Sequence, residues 1–385
     1  MSLKRSISAL ALLALATGCQ TTSLPDVFVE DKTGLADQTN VIVLLESETA
    51  ANALAINATR RGYVLIEKQT LTGLGLVYAE FERPAGVSGT VAISDMRKME
   101  PSATAGVDHF FGLQSDGDAA LSYDPKDYAA QLVQWPAQGC RASLSVGIID
   151  GEIDATSDRL SAANIEVRDF TNGRGVAKAH GTAIADLLVG PGKLLNTGLY
   201  AATVVNESSN GVGAGVGELI LALNWMVESE VKLINISLAG PYNFLLEEAV
   251  NKAADRGAVI VAAAGNDGPD AEPRYPAAFE NVIAVTAIDS TLEVYSQAVR
   301  GDHIDFAAPG VDVFTSAVDE GRFLSGTSMA APFVTALIAS DPQLDPRDDI
   351  SAIRSMIGET AMDIGPAGHD PIYGAGLPRK LSDCQ

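Results

Sequence analysis

The amino-acid sequence predicts an α/β protein: a doubly wound, mostly parallel sheet with helices on both faces, preceded by a small α+β domain. Two observations carry this. Residues 144–149, 231–236, 258–264 and 282–287 are largely apolar rather than alternating, and helical stretches separate them. Strands of that kind are buried on both faces, as parallel strands between helices are. Ahead of them, residues 40–113 run strand, helix, two strands, helix, strand, the βαββαβ order of a ferredoxin-like unit. A length of 385 residues accommodates one small and one large domain.

At the N-terminus, Lys4 and Arg5 precede an apolar run over residues 7–16 that ends at small residues, the pattern of a bacterial export signal over residues 1–18. The run is too short to span a bilayer, and no later segment reaches the roughly 18 uninterrupted apolar residues a transmembrane helix needs. Leu15-Ala16-Thr17-Gly18-Cys19 resembles the lipobox of bacterial lipoproteins, whose cysteine is acylated. Ala16 stands where a lipobox usually carries Leu, and Ala14-Leu15-Ala16 also fits an ordinary signal-peptidase site, so acylation of Cys19 and plain secretion both stay open. A polar tether, residues 19–38, follows.

Within residues 39–114 the expected elements are a strand at 40–45, an alanine-rich helix at 49–61 and strands at 63–68 and 76–81 around a turn containing Gly73 and Gly75. A second helix at 89–99 and a last strand at 105–113 complete them. Residues 115–127, rich in Asp, Gly, Ala and Ser, read as an exposed linker of the kind proteases cut. The large domain is expected over 128–385. The glycine-rich run 211–217 lacks the spacing of a dinucleotide fingerprint and reads as a flexible loop.

With 26 Lys and Arg against 49 Asp and Glu, the net charge is -23. That balance opposes phosphate backbones, whose binding needs a basic stripe, and suits a soluble exported protein.

Four positions are candidates for chemistry. Asp150 ends an apolar strand before Gly151, at the carboxyl edge where open α/β sheets place their ligands, although an isolated Asp there is usually a turn former. His180, in AHGTAIADLLVG, stands at or just before a helix start beside Gly181, and is one of only four histidines, the side chain best suited to a general base. Ser328, in SGTSMAAPFVTALIAS, follows a tight turn at the start of a helix, where N–H groups are unsatisfied. An isolated Ser there reads as an N-cap, but Gly326, Ala330 and Ala331 leave a nucleophile uncrowded. Asn266, in VAAAGNDGP, follows another apolar strand, and its amide could donate to an oxyanion.

Together these motifs resemble the subtilisin-like serine proteases, or subtilases, over most of residues 144–376. Asp150 in VGIIDGEID, His180 in HGTAIA and Ser328 in GTSMAAP match the family's three catalytic motifs, in the subtilisin order Asp, His, Ser. The resemblance implies a subtilisin-like α/β fold, hydrolysis of peptide bonds by a serine endopeptidase, and Asn266 in the oxyanion hole. NISLAG resembles the family's substrate-binding strand, which gives Ser237, Leu238, Ala239 and Gly240 to a polypeptide substrate added as an extended strand. FAAPG over residues 306–310 and DPIYGAGLP are similar to the family's later segments. The βαββαβ unit resembles subtilase pro-segments, which implies an intramolecular inhibitor and chaperone on a zymogen.

Two departures bear on fine geometry: Ala183 stands where His or Thr is common, and Gly151-Glu152 where Thr-Gly or Ser-Gly is. The chemistry calls for no cofactor and no catalytic metal. Some subtilases bind structural calcium through carbonyls, which leave no sequence signature. If Cys19 is lipidated and anchors the chain to a membrane, Cys140 and Cys384 remain as an even pair that an oxidising compartment can join, or as two buried thiols. A surface-anchored, catalytically silent peptide-binding protein is the alternative of another class. An esterase would need a GxSxG elbow, which residues 326–330 do not form.

Overall fold

Seven parallel strands make the centre of the molecule, and their ends decide where everything else lies. The computed structural model describes residues 40–113, 116–117, 126, 128–208, 211–318, 321–344 and 349–380. The export signal, Cys19, the tether, most of the linker and Cys384 lie outside them.

The N-terminal unit comprises β1 (Asn40–Leu45), α1 (Glu48–Arg60), β2 (Val64–Leu71), β3 (Leu76–Glu82), α2 (Gly89–Met99) and β4 (Thr104–Val107). Its sheet is antiparallel in the order β2-β3-β1-β4. Ser47 and Ser88 cap the two helices by accepting from Ala50 N and Val91 N, which satisfies donors the first turn leaves open. Next come β5 (Phe110–Leu113) and β6 (Asp116–Gly117), which join other sheets. The single strand expected over 105–113 is therefore two. The break falls at Asp108 and His109, where Asp108 Oδ1 accepts from Gly217 N at 3.1 Å and turns the chain out of the first sheet.

The larger part begins with α3 (Tyr128–Leu132), β7 (Cys140–Arg141), β8 (Val146–Asp150), β9 (Asn164–Asp169), α4 (Lys178–Val189), β10 (Leu194–Leu195) and β11 (Gly198–Thr203). It continues with β12 (Asn206–Ser208), β13 (Gly211–Gly215), α5 (Val216–Glu228), β14 (Leu233–Ile236), β15 (Leu238–Ala239), α6 (Phe244–Asp255) and β16 (Val259–Ala263). The last elements are β17 (Val282–Ile288), β18 (Phe306–Pro309), β19 (Val313–Thr315), β20 (Arg322–Ser325), α7 (Thr327–Ser340) and α8 (Ile350–Thr360). The central sheet has the order β18-β17-β16-β14-β8-β11-β9, parallel throughout.

Alternate residues of each strand feed two different cores. Ile148, Leu233, Val261 and Val285 pack with Ile184 of α4, Val334 of α7 and Ile353 of α8. Ile149, Ile234, Ile260 and Ala284 face the other way, against Leu219 of α5 and Leu246 of α6. Burial on both faces is why these strands read as unbroken apolar runs. The N-terminal sheet repeats the device: Val41, Val43 and Leu45 pack on α1 and α2, whereas Ile42 and Leu44 join the core of α5 and α6.

The glycine-rich run 211–217 is not a loop. Gly211–Gly215 is strand β13, paired with β5, and Val216 and Gly217 open α5. Its small side chains let it lie flat beside another backbone, a pairing that composition does not reveal. Cys140 is buried and disulfide-bonded. Among the described residues no helix is long and apolar enough to cross a membrane.

Ile234 is fully buried in the middle of β14. Ile234→Ala is expected to lower unfolding free energy by about 2–5 kcal/mol, read from urea denaturation in a Ser328→Ala background that cannot digest itself.

Candidate active site

Asp150 is the last residue of β8, so its carboxylate sits at the carboxyl edge of the sheet, fully buried. Gly151 N donates to Asp150 Oδ1 at 2.6 Å, and the same oxygen meets His180 Nδ1 at 2.7 Å. Oδ2 is buried without a hydrogen-bond partner. His180 lies in the first turn of α4 rather than before it. The helix can start this close to β8 because of Gly181, where a β-carbon would stand 2.5 Å from Glu152 O and 2.6 Å from Gly151 O. His180 Nε2 faces Ser328 Oγ at 3.1 Å, and Ser328 is the second residue of α7 and fully buried.

A nucleophile, a base in contact with it and a carboxylate behind the base form the constellation of acyl transfer. In that constellation the imidazole can take the hydroxyl proton as the oxygen attacks a carbonyl, and the carboxylate fixes the tautomer that keeps Nε2 an acceptor.

Asn266 stands three residues beyond β16. Its Oδ1 accepts from Thr327 N at 3.1 Å and Thr327 Oγ1 at 3.0 Å, while Gly265 N donates to Thr327 Oγ1 at 3.1 Å. With Oδ1 so held, the buried Nδ2 is the donor the side chain offers, and the N–H of Ser328 is in the first turn of α7. Donors of this kind stabilise an oxyanion most in such a water-poor place.

Leu238 and Ala239, expected to carry substrate, already carry a strand. β5 lies antiparallel between β15 and β13, with Leu113 opposite Leu238, Gly112 opposite both Ala239 and Gly213, and Phe111 opposite Ala214. Beyond it, Asp116 pairs with Ser325 and Gly117 with Leu324, on the strand that leads to Ser328. Gly240 departs from the expected role, because its N–H and C=O are bonded to Tyr275 at 2.9 Å each. What it supplies is room: a β-carbon there would stand 2.6 Å from the ring of the fully buried Phe111. Ser237 likewise turns inward. Its hydroxyl donates to Ser328 O at 3.4 Å and accepts from Asn235 Nδ2 at 2.9 Å, and Asn235 Oδ1 accepts from Thr335 Oγ1 at 3.1 Å. Sequence reading missed Asn235 and Thr335, whose only signal is polarity inside apolar runs, Thr335 lying two helical turns beyond Ser328.

The sequence profile of the Subtilase family matches residues 141–376, which include Asp150, His180, Asn266 and Ser328. Subtilisin DY of Bacillus licheniformis is 34% identical over 255 residues, covering 63% of this chain and 91% of that protein. Minor extracellular protease Epr of Bacillus subtilis is 28% identical over 288 residues, 72% of this chain, and the chain spans only 44% of its length. In fold, the chain superposes with a TM-score of 0.71 on fervidolysin from Fervidobacterium pennivorans, a keratinolytic enzyme related to subtilisin, at 19% identity over 92% of this chain and 63% of that one.

Asn266→Ala is expected to lower kcat by about 10²–10³, the size of the equivalent loss in a subtilisin, with little change in KM on a chromogenic peptide. Gly240→Val should cut kcat/KM by about tenfold for peptides with Phe at the place of Phe111, and much less for those with Ala there, in a paired-peptide assay. On the profile match and the geometry of its triad, the chain belongs to the Subtilase family and is a subtilisin-like serine endopeptidase.

Proposed function

We propose that this endopeptidase is made as an exported zymogen in which residues 39–114 guide folding, cover the cleft and are then cut away. The observation that carries the reading is β5, a strand of residues 39–114 seated between β13 and β15, followed by β6 on the strand that leads to Ser328. A strand so placed has the hydrogen bonds a polypeptide substrate would have. Main-chain bonds tolerate many sequences, so substrates are extended polypeptides of varied sequence, with preference set by pockets such as that of Phe111.

Support for export comes from Lys4, Arg5 and the apolar run after them, and from Cys140, since a disulfide suits an oxidising compartment. Epr is by its name extracellular. Cys19 is the candidate for acylation and so for a lipid tether to a membrane. Cys384 is the candidate partner of Cys140: Lys380 N donates to Val133 O at 2.8 Å, which brings the C-terminal segment back to the chain just ahead of β7. Proton transfer between Ser328 and His180, with the oxyanion held by N–H donors, calls for no cofactor.

The cut is expected in the linker, residues 115–127, whose Asp, Gly, Ala and Ser suit a protease. Intact mass spectrometry of the wild type should show the loss of everything before a cut in that linker. Ser328→Ala should stay uncut and carry acyl groups on Cys19. An uncut pair of identical mass would overturn the zymogen reading.

A further inference from the structure

Two acidic side chains meet, with a third close by, where the N-terminal unit touches α5, and the triad chemistry uses none of them. Asp108, between β4 and β5, reaches the start of α5 and accepts from Gly217 N at 3.1 Å. Glu218 is in the first turn of that helix and is half-buried, as Asp108 is. Both carboxylates crowd the α-carbon of Gly215, where a β-carbon would stand 2.7 Å from an oxygen of each. On the other side, Tyr78 Oη donates to Glu80 Oε2 at 3.0 Å, and Tyr78 Oη would lie 2.9 Å from a β-carbon on Gly217.

Neutral donors offset part of this charge: the N–H groups of Val216 and Gly217 bond Asp108, those of Gly215 and Glu218 bond Glu218, and Asn40 Nδ2 donates to Glu80 Oε1 at 2.5 Å. Arg174 is the cation whose field reaches Glu218, but it is exposed and its Nε is bonded to Thr171 O. Asn206 Nδ2 donates to Glu218 Oε1 at 3.4 Å. From β2, Glu67 adds another negative charge next to Glu80. Carboxylates brought together away from water hold protons that they would shed apart.

We propose that the Asp108–Glu218 contact, beside the charge of Glu80, is a proton-dependent clamp, which seats the N-terminal unit on α5 in acid and lets it go as the pH rises towards neutral and alkaline values. It rests on the reading of residues 39–114 as a removable cover.

Burial, then the charge of Glu218, pushes Asp108 up to about 7, and Glu218 and Glu67 are raised as well, both first by burial. A carboxyl raised in the seated state binds more protons seated than free. Its favourable contribution is therefore complete below the ordinary carboxylate range and is lost as pH climbs through about 7. One such group changes seating by up to about tenfold per pH unit over that window. His109 works against the clamp: its Nδ1 meets Asn243 Nδ2 at 3.1 Å, and protonating the ring in acid would remove that acceptor.

The test uses the full chain carrying Ser328→Ala, so that cutting does not intervene, with amide exchange at pH 5 and pH 8 corrected for intrinsic rates. Protection of residues 110–113 and of Val216 and Gly217 should fall by about tenfold or more between the two. Adding Asp108→Asn, of the same shape but unable to ionise, should remove most of that fall, and Glu218→Gln serves if the first variant does not fold. Protection independent of pH, or an equal fall in the variants, would overturn the clamp. Failure of the wild type to cut itself would sink the zymogen reading instead, because the exchange measurement needs no cleavage.

Discussion

Burial of the seven-stranded sheet on both faces is the constraint from which the rest follows. With α4, α7 and α8 on one side and α5 and α6 on the other, functional groups have access only at the strand ends. Asp150 closes β8, Ser237 follows β14 and Asn266 follows β16, all at the carboxyl edge of parallel strands. α4 and α7 begin at that same edge on one face, so His180 and Ser328 meet as a consequence of helix packing. A fully buried Val, Leu or Ile contributes roughly 1.5–3 kcal/mol, against about 1 kcal/mol net for a hydrogen bond. Packing therefore sets the 3.1 Å contact, and the hydrogen bonds refine it.

The site itself is a local exception to that stability. Asp150 is buried with one oxygen unsatisfied, a state that costs on the order of 1–3 kcal/mol. Gly151 N and His180 hold its other oxygen, and the chain Thr335–Asn235–Ser237 steadies the backbone at Ser328 from beneath. A group that must act on charge is kept away from water, and the surrounding core supplies the stability this withholds.

What could be read from sequence was what is local. Buried parallel strands leave unbroken apolar runs, and the three triad residues stand in short motifs with their own glycines and helix starts, so strands and candidates were both legible. Non-local pairing was not. β13 looked like a loop because glycines carry no side-chain pattern, and it is a strand only because β5, about a hundred residues earlier, lies beside it. Gly240 looked like part of a substrate strand, and its main chain turned out to be committed to Tyr275. Asp108 and Glu218 each look like ordinary surface acids until the fold brings them together across the same glycine.

The strand seated between β13 and β15 belongs to the same backbone as the nucleophile. While β5 and β6 are parts of one chain, the cover faces its site at an effective concentration set by chain geometry, of the order of millimolar, whatever the dilution of the protein. Were the chain cut between β5 and the nucleophile, the same pairings would be those of two molecules. Pairing would then depend on concentration, so dilution would weaken it where the tethered strand is unaffected.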